Sequence, residues 1–197
     1  MKIKLEYING YIFVEPLGNK KVIQSIQQGR ELLDKLKVNY WFSAGTALGL
    51  VRESCGWIKH DTDIDAEIYV TEKEIPGLVL HEFRAEGYRL IRTTKFKNKI
   101  MQYAFMNPMD NIIFDIYFYY DDLKHELLKE DNCIANFNDS GILWMPIEMI
   151  RIKDVARGFP LPYPAVDYLT LRYGNWRKPR SIKSSWSDDA CELLIKC

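Results

Sequence analysis

The sequence predicts an α+β fold in which helices flank a mixed, largely antiparallel sheet. Three observations indicate this class: an apolar stripe at helical spacing, a strand with strict two-residue alternation, and three strand-like segments separated by turns. The chain has 197 residues, of which 47% are hydrophobic, and it contains no internal repeat or linker-like stretch. We therefore expect a single domain over residues 1–197.

The first elements are predicted from apolar spacing and from glycine positions. Residues 20–37 carry an amphipathic helical stripe, which Gly29 weakens without interrupting. A short strand over residues 40–44 then turns at Gly45 and Thr46 into a short helix.

The later elements are a helix, a meander and an irregular C-terminal third. Residues 74–86 fit a helix that Gly87 ends. Three strand candidates separated by turn residues follow, as is typical of an antiparallel meander: residues 88–94, 100–106 and 112–120. The C-terminal third is rich in proline and aromatic residues, and we expect only short helices there, over residues 165–173 and 188–196.

Four carboxylates occupy alternate positions of one strand candidate: Asp61, Asp63, Asp65 and Glu67. The intervening residues are mostly apolar, so the acids lie on one face of the strand and an apolar surface forms the other. Adjacent like charges on one strand face repel, and a folded chain keeps them only if the face is solvated or a cation neutralises it. Because the opposite face resembles a core, we favour a divalent metal site at the edge of the sheet.

Asp115 is the candidate for a third ligand from another element. It lies inside an apolar strand candidate, where a lone carboxylate is costly unless it is paired or bound to metal. If the two strands are neighbours, Asp63, Asp65 and Asp115 can converge on one or two Mg²⁺ ions, with Mn²⁺ as the alternative. The residues leave a second interpretation open, in which Asp115 lies on a solvated face or pairs with a buried arginine.

Two further groups of residues are candidates for substrate binding. Gly45 and Thr46 stand where a strand meets a helix, and free N–H groups at a helix start suit phosphate. Arg52 near the end of that helix and Lys59 just before the acids can neutralise a pyrophosphate, although both also fit solvated charges.

The C-terminal run over residues 162–177 combines aromatic side chains with arginines. Tyr173 and Arg177 in this run could stack on a base or sugar and contact phosphate. Packing against the sheet is the alternative interpretation of the same residues.

Composition argues against several other classes of protein. The formal net charge is zero, which does not favour binding of nucleic acid or of an anionic membrane surface. No apolar run is long enough to span a bilayer, and residues 1–6 lack an apolar signal region, so we expect a cytoplasmic protein. None of the four cysteines has CxxC spacing and the three histidines do not cluster with them, which argues against a zinc site.

Three runs of the sequence follow one another along the chain: residues 41–52, 57–65 and 159–176. Together they resemble the LicD family, which also contains the fukutin-related proteins. They are similar to the family's G-T-x-L-G-x-x-R stretch, its W-D-D-D-I-D-like acidic strand and its closing V-P-x-P…Y-L…Y-G-x-W region. The resemblance covers about residues 41–176, most of the chain.

This resemblance implies a nucleotidyltransferase-type fold and a specific reaction. The implied reaction transfers a phospho-alcohol, such as phosphocholine or ribitol phosphate, from its CDP conjugate to a sugar hydroxyl of a glycan and releases CMP. Family roles fall on Gly45 and Thr46 for phosphate and on Asp63, Asp65 and Asp115 for metal.

The residues alone leave other functions open, since they fit attack at either phosphorus of the donor. One alternative is a nucleotidyltransferase that moves a whole nucleotide onto a small molecule or protein and releases pyrophosphate. Others are a non-catalytic nucleotide- or sugar-binding module and a scaffold with a solvated acidic strand.

Overall fold

The computed structural model describes residues 4–7, 19–58, 61–96, 98–120, 133–138, 141–146 and 153–178. Two of the predictions made from the sequence lie outside these residues: the helix over residues 188–196 and the placement of Lys59. The single-domain prediction for the whole chain stays a prediction.

Four helices lie in the described part of the chain: α1 (Asn19–Leu36), α2 (Ala44–Arg52), α3 (Ile75–Ala85) and α4 (Ala165–Tyr173). The strands are β1 (Lys4–Tyr7), β2 (Asn39–Phe42), β3 (Asp63–Val70), β4 (Arg89–Phe96), β5 (Lys99–Met106), β6 (Ile113–Tyr120), β7 (Cys133–Asn138), β8 (Gly141–Pro146), β9 (Lys153–Ala156) and β10 (Phe159–Pro162). Of the described helices, none combines the length and the apolar character that crossing a membrane requires.

Six of these strands form one mixed sheet in the order β1-β4-β5-β6-β3-β2. The predicted meander is present as β4, β5 and β6, each antiparallel to the next. The acidic strand β3 runs parallel to β6 and antiparallel to β2. The α+β class, with a mixed sheet flanked by helices, is therefore confirmed.

The position of the acidic strand within the sheet corrects one expectation. We expected the site at a sheet edge, but β3 has a neighbour on each side and is an inner strand. The short strand β2 accounts for the difference, because it pairs with β3 and covers the edge that would otherwise be free.

The C-terminal region is also more regular than expected, since two hairpins precede α4 there. In the second hairpin, β9 and β10 are joined by Arg157 and Gly158, whose φ angles of 54° and 85° suit a two-residue hairpin turn. Arg157 is an uncommon residue in such a turn, and prolines within β10 weaken the strand pattern. Both features explain why the sequence pattern indicated irregular structure.

The apolar face of the sheet packs against α1 and α3. Phe83 of α3 stacks on Phe105, with ring centroids 4.8 Å apart, and also contacts Phe114. Gly29 of α1 faces the same ring, and a Cβ atom built on it would lie 2.1 Å from Phe114 Cε2. The glycine that weakens the helical pattern is thus what allows α1 to approach the sheet closely.

We expect Gly29→Ala to lower the free energy of unfolding by about 1–3 kcal/mol, because the added methyl group overlaps the Phe114 ring. Gly77→Ala in α3 is the matched control. Apart from its chain neighbours and the backbone of its own helix, no atom of the described residues lies within 4 Å of a Cβ placed on Gly77. The control should leave stability unchanged or raise it by up to about 1 kcal/mol. Denaturant unfolding measures both, and equal destabilisation would contradict the packing role of Gly29.

Candidate metal centre

Three carboxylates meet on the polar face of the sheet. The parallel register of β3 and β6 pairs Asp65 directly with Asp115, and Asp63 is the first residue of β3. One carboxylate oxygen from each of these three residues lies within 4.8 Å of the other two. The structure therefore brings together the acids that the sequence predicts as metal ligands.

The cluster is largely shielded from water. Asp65 is 7% exposed and Asp115 is 3% exposed, while Asp63 is half-buried. Burial raises the pKa of Asp65 well above its usual range, and the neighbouring charges of Asp63, Asp61 and Asp115 add to the rise. A positive charge at this point would offset the repulsion among the acids.

Asp61 belongs to the same cluster, although it was not among the site residues predicted from the sequence. Burial raises its pKa to about 8, and the charge of Asp63 and a hydrogen bond with Asp63 contribute to the rise. Its Oδ2 atom is buried without a hydrogen-bond partner among the described residues. The alternation of acids already pointed to Asp61, but the residue precedes the first residue of β3 and its burial could not be read from the pattern.

The donor set fits a hard divalent cation. Every ligand atom in the cluster is a carboxylate oxygen, the type that Mg²⁺ and Mn²⁺ prefer. Octahedral Mg²⁺ holds adjacent ligands about 3 Å apart and opposite ligands about 4.2 Å apart, so oxygens that lie within 4.8 Å of one another are near enough to close around one cation. The buried Asp61 oxygen supports the same conclusion, that this acidic group can bind a metal ion.

Arg92 of β4 contacts the cluster from across one strand. Its Nη2 atom lies 3.1 Å from each carboxylate oxygen of Asp115. In the sheet, Arg92 is paired with Ala104 of β5, and Ala104 is paired with Asp115. The small Ala104 side chain leaves room for the guanidinium to pass over β5. Both interpretations of Asp115 are thus present together: it belongs to the acidic cluster and it pairs with a partly buried arginine.

The start of α2 lies directly beside the acids. Thr46 Oγ1 accepts a hydrogen bond of 2.8 Å from the backbone N–H of Asp65, and a Cβ on Gly45 would lie 2.2 Å from Asp61 Oδ2. Ala44 has a left-handed φ of 45°, which is strained for a residue with a side chain, and its N–H donates to the Tyr168 hydroxyl at 2.8 Å. These contacts fix the helix start against β3.

Glu67 of β3 and two residues of α4, Arg172 and Tyr173, lie close to the acids. Glu67 is 1% exposed and accepts a hydrogen bond of 2.7 Å from Trp41 Nε1. Burial raises the pKa of Glu67, and the charge of Arg172 opposes that rise. Burial also raises the pKa of Tyr173, whose hydroxyl is close enough to Asp65 for the carboxylate charge to contribute. Arg172 was not selected from the sequence, although it lies in the closing motif beside Tyr173.

The other selected residues have contacts of their own. Arg52 donates through Nε to Glu53 at 2.6 Å and through Nη1 to the Trp176 carbonyl at 3.0 Å, so it links the end of α2 to the segment after α4. Arg177 is exposed, with its guanidinium 4.3 Å from the centroid of the Trp176 ring. The predicted substrate contacts of Arg52 and Arg177 stay predictions, as does that of Lys59, which lies outside the described residues.

The chain has distant relatives among known proteins. No family model matches the chain. It is 25% identical over 175 residues to the ribitol-5-phosphate transferase FKTN of Mus musculus, covering 88% of this chain and 37% of that protein. The Homo sapiens protein of the same name is 26% identical over 161 residues, covering 81% and 34% respectively. The chain therefore spans little more than a third of the length of these relatives.

The relatives support the fukutin-related part of the resemblance seen in the sequence, while membership of the LicD family stays a prediction. Among solved structures, the chain is similar to the crystal structure of a proposed nucleotidyltransferase from Thermotoga maritima. That similarity has a TM-score of 0.40 and 17% identity, and it covers 76% of this chain and 85% of the other.

The raised pKa values predict how stability depends on pH in the absence of metal. The native pKa of Asp61 is about 8 against an ordinary value of 3.8, so between these values the native state holds a proton that the unfolded chain has lost. The free energy of unfolding should therefore fall as the pH rises from about 5 to about 8. Denaturant unfolding in the presence of a chelator should show this decrease in the free energy of unfolding with pH. Saturating Mg²⁺ should make the decrease smaller.

Asp61→Asn provides the control, because it removes one of the titrating groups and should reduce the slope of the metal-free protein. Slopes that are equal with and without Mg²⁺ would show that the cation does not neutralise these carboxylates.

Tyr168→Phe should lower the free energy of unfolding by about 1–3 kcal/mol, because it leaves the buried N–H of Ala44 without its acceptor. Tyr163→Phe is the matched control, since Tyr163 is 44% exposed and should change stability by less than about 0.5 kcal/mol. Chemical denaturation of both variants tests the contact. Equal stability of Tyr168→Phe and the parent protein would mean that the hydroxyl does not secure the helix start.

Proposed function

We propose that this chain catalyses Mg²⁺-dependent transfer of a phospho-alcohol from a CDP-alcohol donor to a sugar hydroxyl of a glycan, with release of CMP. The observation that carries the proposal is the convergence of Asp63, Asp65 and Asp115 beside the start of α2. The distant relatives are named ribitol-5-phosphate transferases, which favours ribitol phosphate over phosphocholine as the transferred group. Mn²⁺ is the alternative cation, and a cytoplasmic location belongs to the same proposal.

In this proposal Asp63, Asp65 and Asp115 hold the cation through their carboxylate oxygens. The cation, when bound, neutralises charge on the phosphate oxygens of the donor and so favours in-line displacement at phosphorus. Because Thr46 is hydrogen bonded to the backbone of Asp65, the helix start and one ligand are positioned together. The alternative role for Asp115 is to take the proton of the acceptor hydroxyl.

The start of α2 is the proposed phosphate site. Backbone N–H groups in the first turn of a helix have no partner within the helix, and the positive end of the helix dipole attracts anions. Gly45 has no side chain to separate its backbone from the acids, and the Thr46 hydroxyl retains its own proton for donation. Arg52 and Lys59 are the proposed additional phosphate contacts.

The base or sugar of the donor is proposed to contact the segment after α4. Tyr173 is half-buried near Asp65, and Arg177 lies on the outer side of the Trp176 ring. An aromatic ring and a guanidinium can each stack on a planar base.

The function is tested by ligand binding followed by product analysis. CDP-ribitol and CDP-choline should raise the melting temperature in the presence of Mg²⁺ and less without it, because ligands that bind the native state stabilise it. With a glycan acceptor, the expected product is CMP. Release of pyrophosphate from a nucleoside triphosphate would instead assign nucleotidyl transfer, and binding without turnover would assign a binding module.

Asp65→Asn should abolish CMP release while the protein stays folded. Removal of one crowded carboxylate relieves repulsion, so metal-free stability should hold or rise. Asp167→Asn is the matched control, since Asp167 is exposed in the first turn of α4 and should keep full turnover. Unfolding of Asp65→Asn in metal-free buffer would instead assign the carboxylate a structural role.

A further inference from the structure

We infer that the Arg92 guanidinium takes the place of a second metal ion beside Asp115, so that the site binds one divalent cation per chain. This inference rests on the metal-dependent function proposed above and names the stoichiometry and the residue that sets it. Arg92 comes from β4, whereas the acids come from β3 and β6.

The contact between Arg92 and Asp115 involves both carboxylate oxygens. Each oxygen lies 3.1 Å from Arg92 Nη2, and the side chains are 19% and 5% exposed respectively. Charge-assisted hydrogen bonds of this kind are stronger than neutral ones, and limited exposure reduces screening by water. Each carboxylate oxygen has two lone pairs, so Asp115 can accept from Arg92 and still offer an oxygen to one cation.

The sheet itself holds Arg92 in place. One continuous row of paired residues crosses four strands: Arg92 pairs with Ala104, Ala104 with Asp115, and Asp115 with Asp65. An arginine on an inner strand is less free to move away than one on a loop. Its charge is also permanent, because a guanidinium keeps its proton in proteins.

Arg92 reduces the negative charge that a second cation would neutralise. It offsets one of the negative charges that Asp63, Asp65, Asp115 and the adjacent Asp61 carry when ionised. A second divalent ion at Asp115 would meet the guanidinium at the same carboxylate and be repelled. Glu67 does not offer an alternative, since it accepts from Trp41 and lies near Arg172.

Both carboxylate oxygens of Asp115 accept hydrogen bonds from Arg92, so the oxygen that Asp115 offers to the cation is also held by the guanidinium. Within the proposed reaction, Asp115 is therefore a metal ligand, and Arg92 is a positioning residue that acts through it.

The test is a titration of the metal-free full chain with Mn²⁺, without nucleotide, in which the electron paramagnetic resonance signal of unbound Mn²⁺ is measured. The parent protein should bind one Mn²⁺ per chain. Arg92→Gln should bind two, because the third carboxylate charge is then uncompensated, while Arg92→Lys should still bind one. Arg89→Gln is the matched control from the same strand: Arg89 is exposed and contacts Met106 Sδ at 3.3 Å, and this variant should bind one.

Two Mn²⁺ ions of similar affinity in the parent protein would overturn the inference, as would a single ion in folded Arg92→Gln. If Arg92→Gln does not fold, the parent protein and Arg92→Lys decide the stoichiometry. Absence of any bound Mn²⁺ in the parent protein would overturn both this inference and the metal dependence of the proposed function. One bound Mn²⁺ without CMP release from any CDP-alcohol would overturn the proposed transfer and support the role of Arg92.

Discussion

The parallel pairing of β3 with β6 is the constraint on which the rest of the site depends. It places Asp65 directly opposite Asp115, with Asp63 close by, so that like charges meet in a part of the sheet shielded from water. Burial and the charges of the neighbouring acids both disfavour the charged form of Asp65. The residues around the acids supply positive charge, form hydrogen bonds with the neighbouring backbone, or are small enough to leave room for the carboxylates.

Positive charge reaches the cluster from two separate elements. Arg92 crosses β5 from β4 and pairs with Asp115, while Arg172 of α4 lies near Glu67 and Asp65. The first contact depends on a small residue at Ala104, since a larger side chain would occupy the path of the guanidinium. Even with both arginines, the acids outnumber the cations, which is why an acidic cluster of this kind suits a bound metal ion.

The sequence predicted those features that depend on local periodicity, and it missed the pairing of Arg92 with Asp115 and the turn at Arg157 and Gly158. Alternation in β3 placed the acids on one face, and the turn residues placed β4, β5 and β6 in a meander. The partner of Asp115 could not be found in this way, because β4 and β5 change register between Leu90 and Arg92. The turn at Arg157 and Gly158 was missed because Arg157 adopts a left-handed φ without being one of the residues that usually indicate such a turn.

The arrangement of α2 and α4 explains why residues distant in sequence belong to one site. Ala44 at the start of α2 contacts Tyr168, and Arg52 at its end contacts the Trp176 carbonyl, so the helix is held at both ends by the C-terminal segment. Tyr168 stabilises the strained backbone at Ala44, and that backbone sets the position of Gly45 and Thr46 beside Asp61 and Asp65. The closing motif of the chain, which could be interpreted from the sequence as simple packing, is therefore part of the structure that positions the acids.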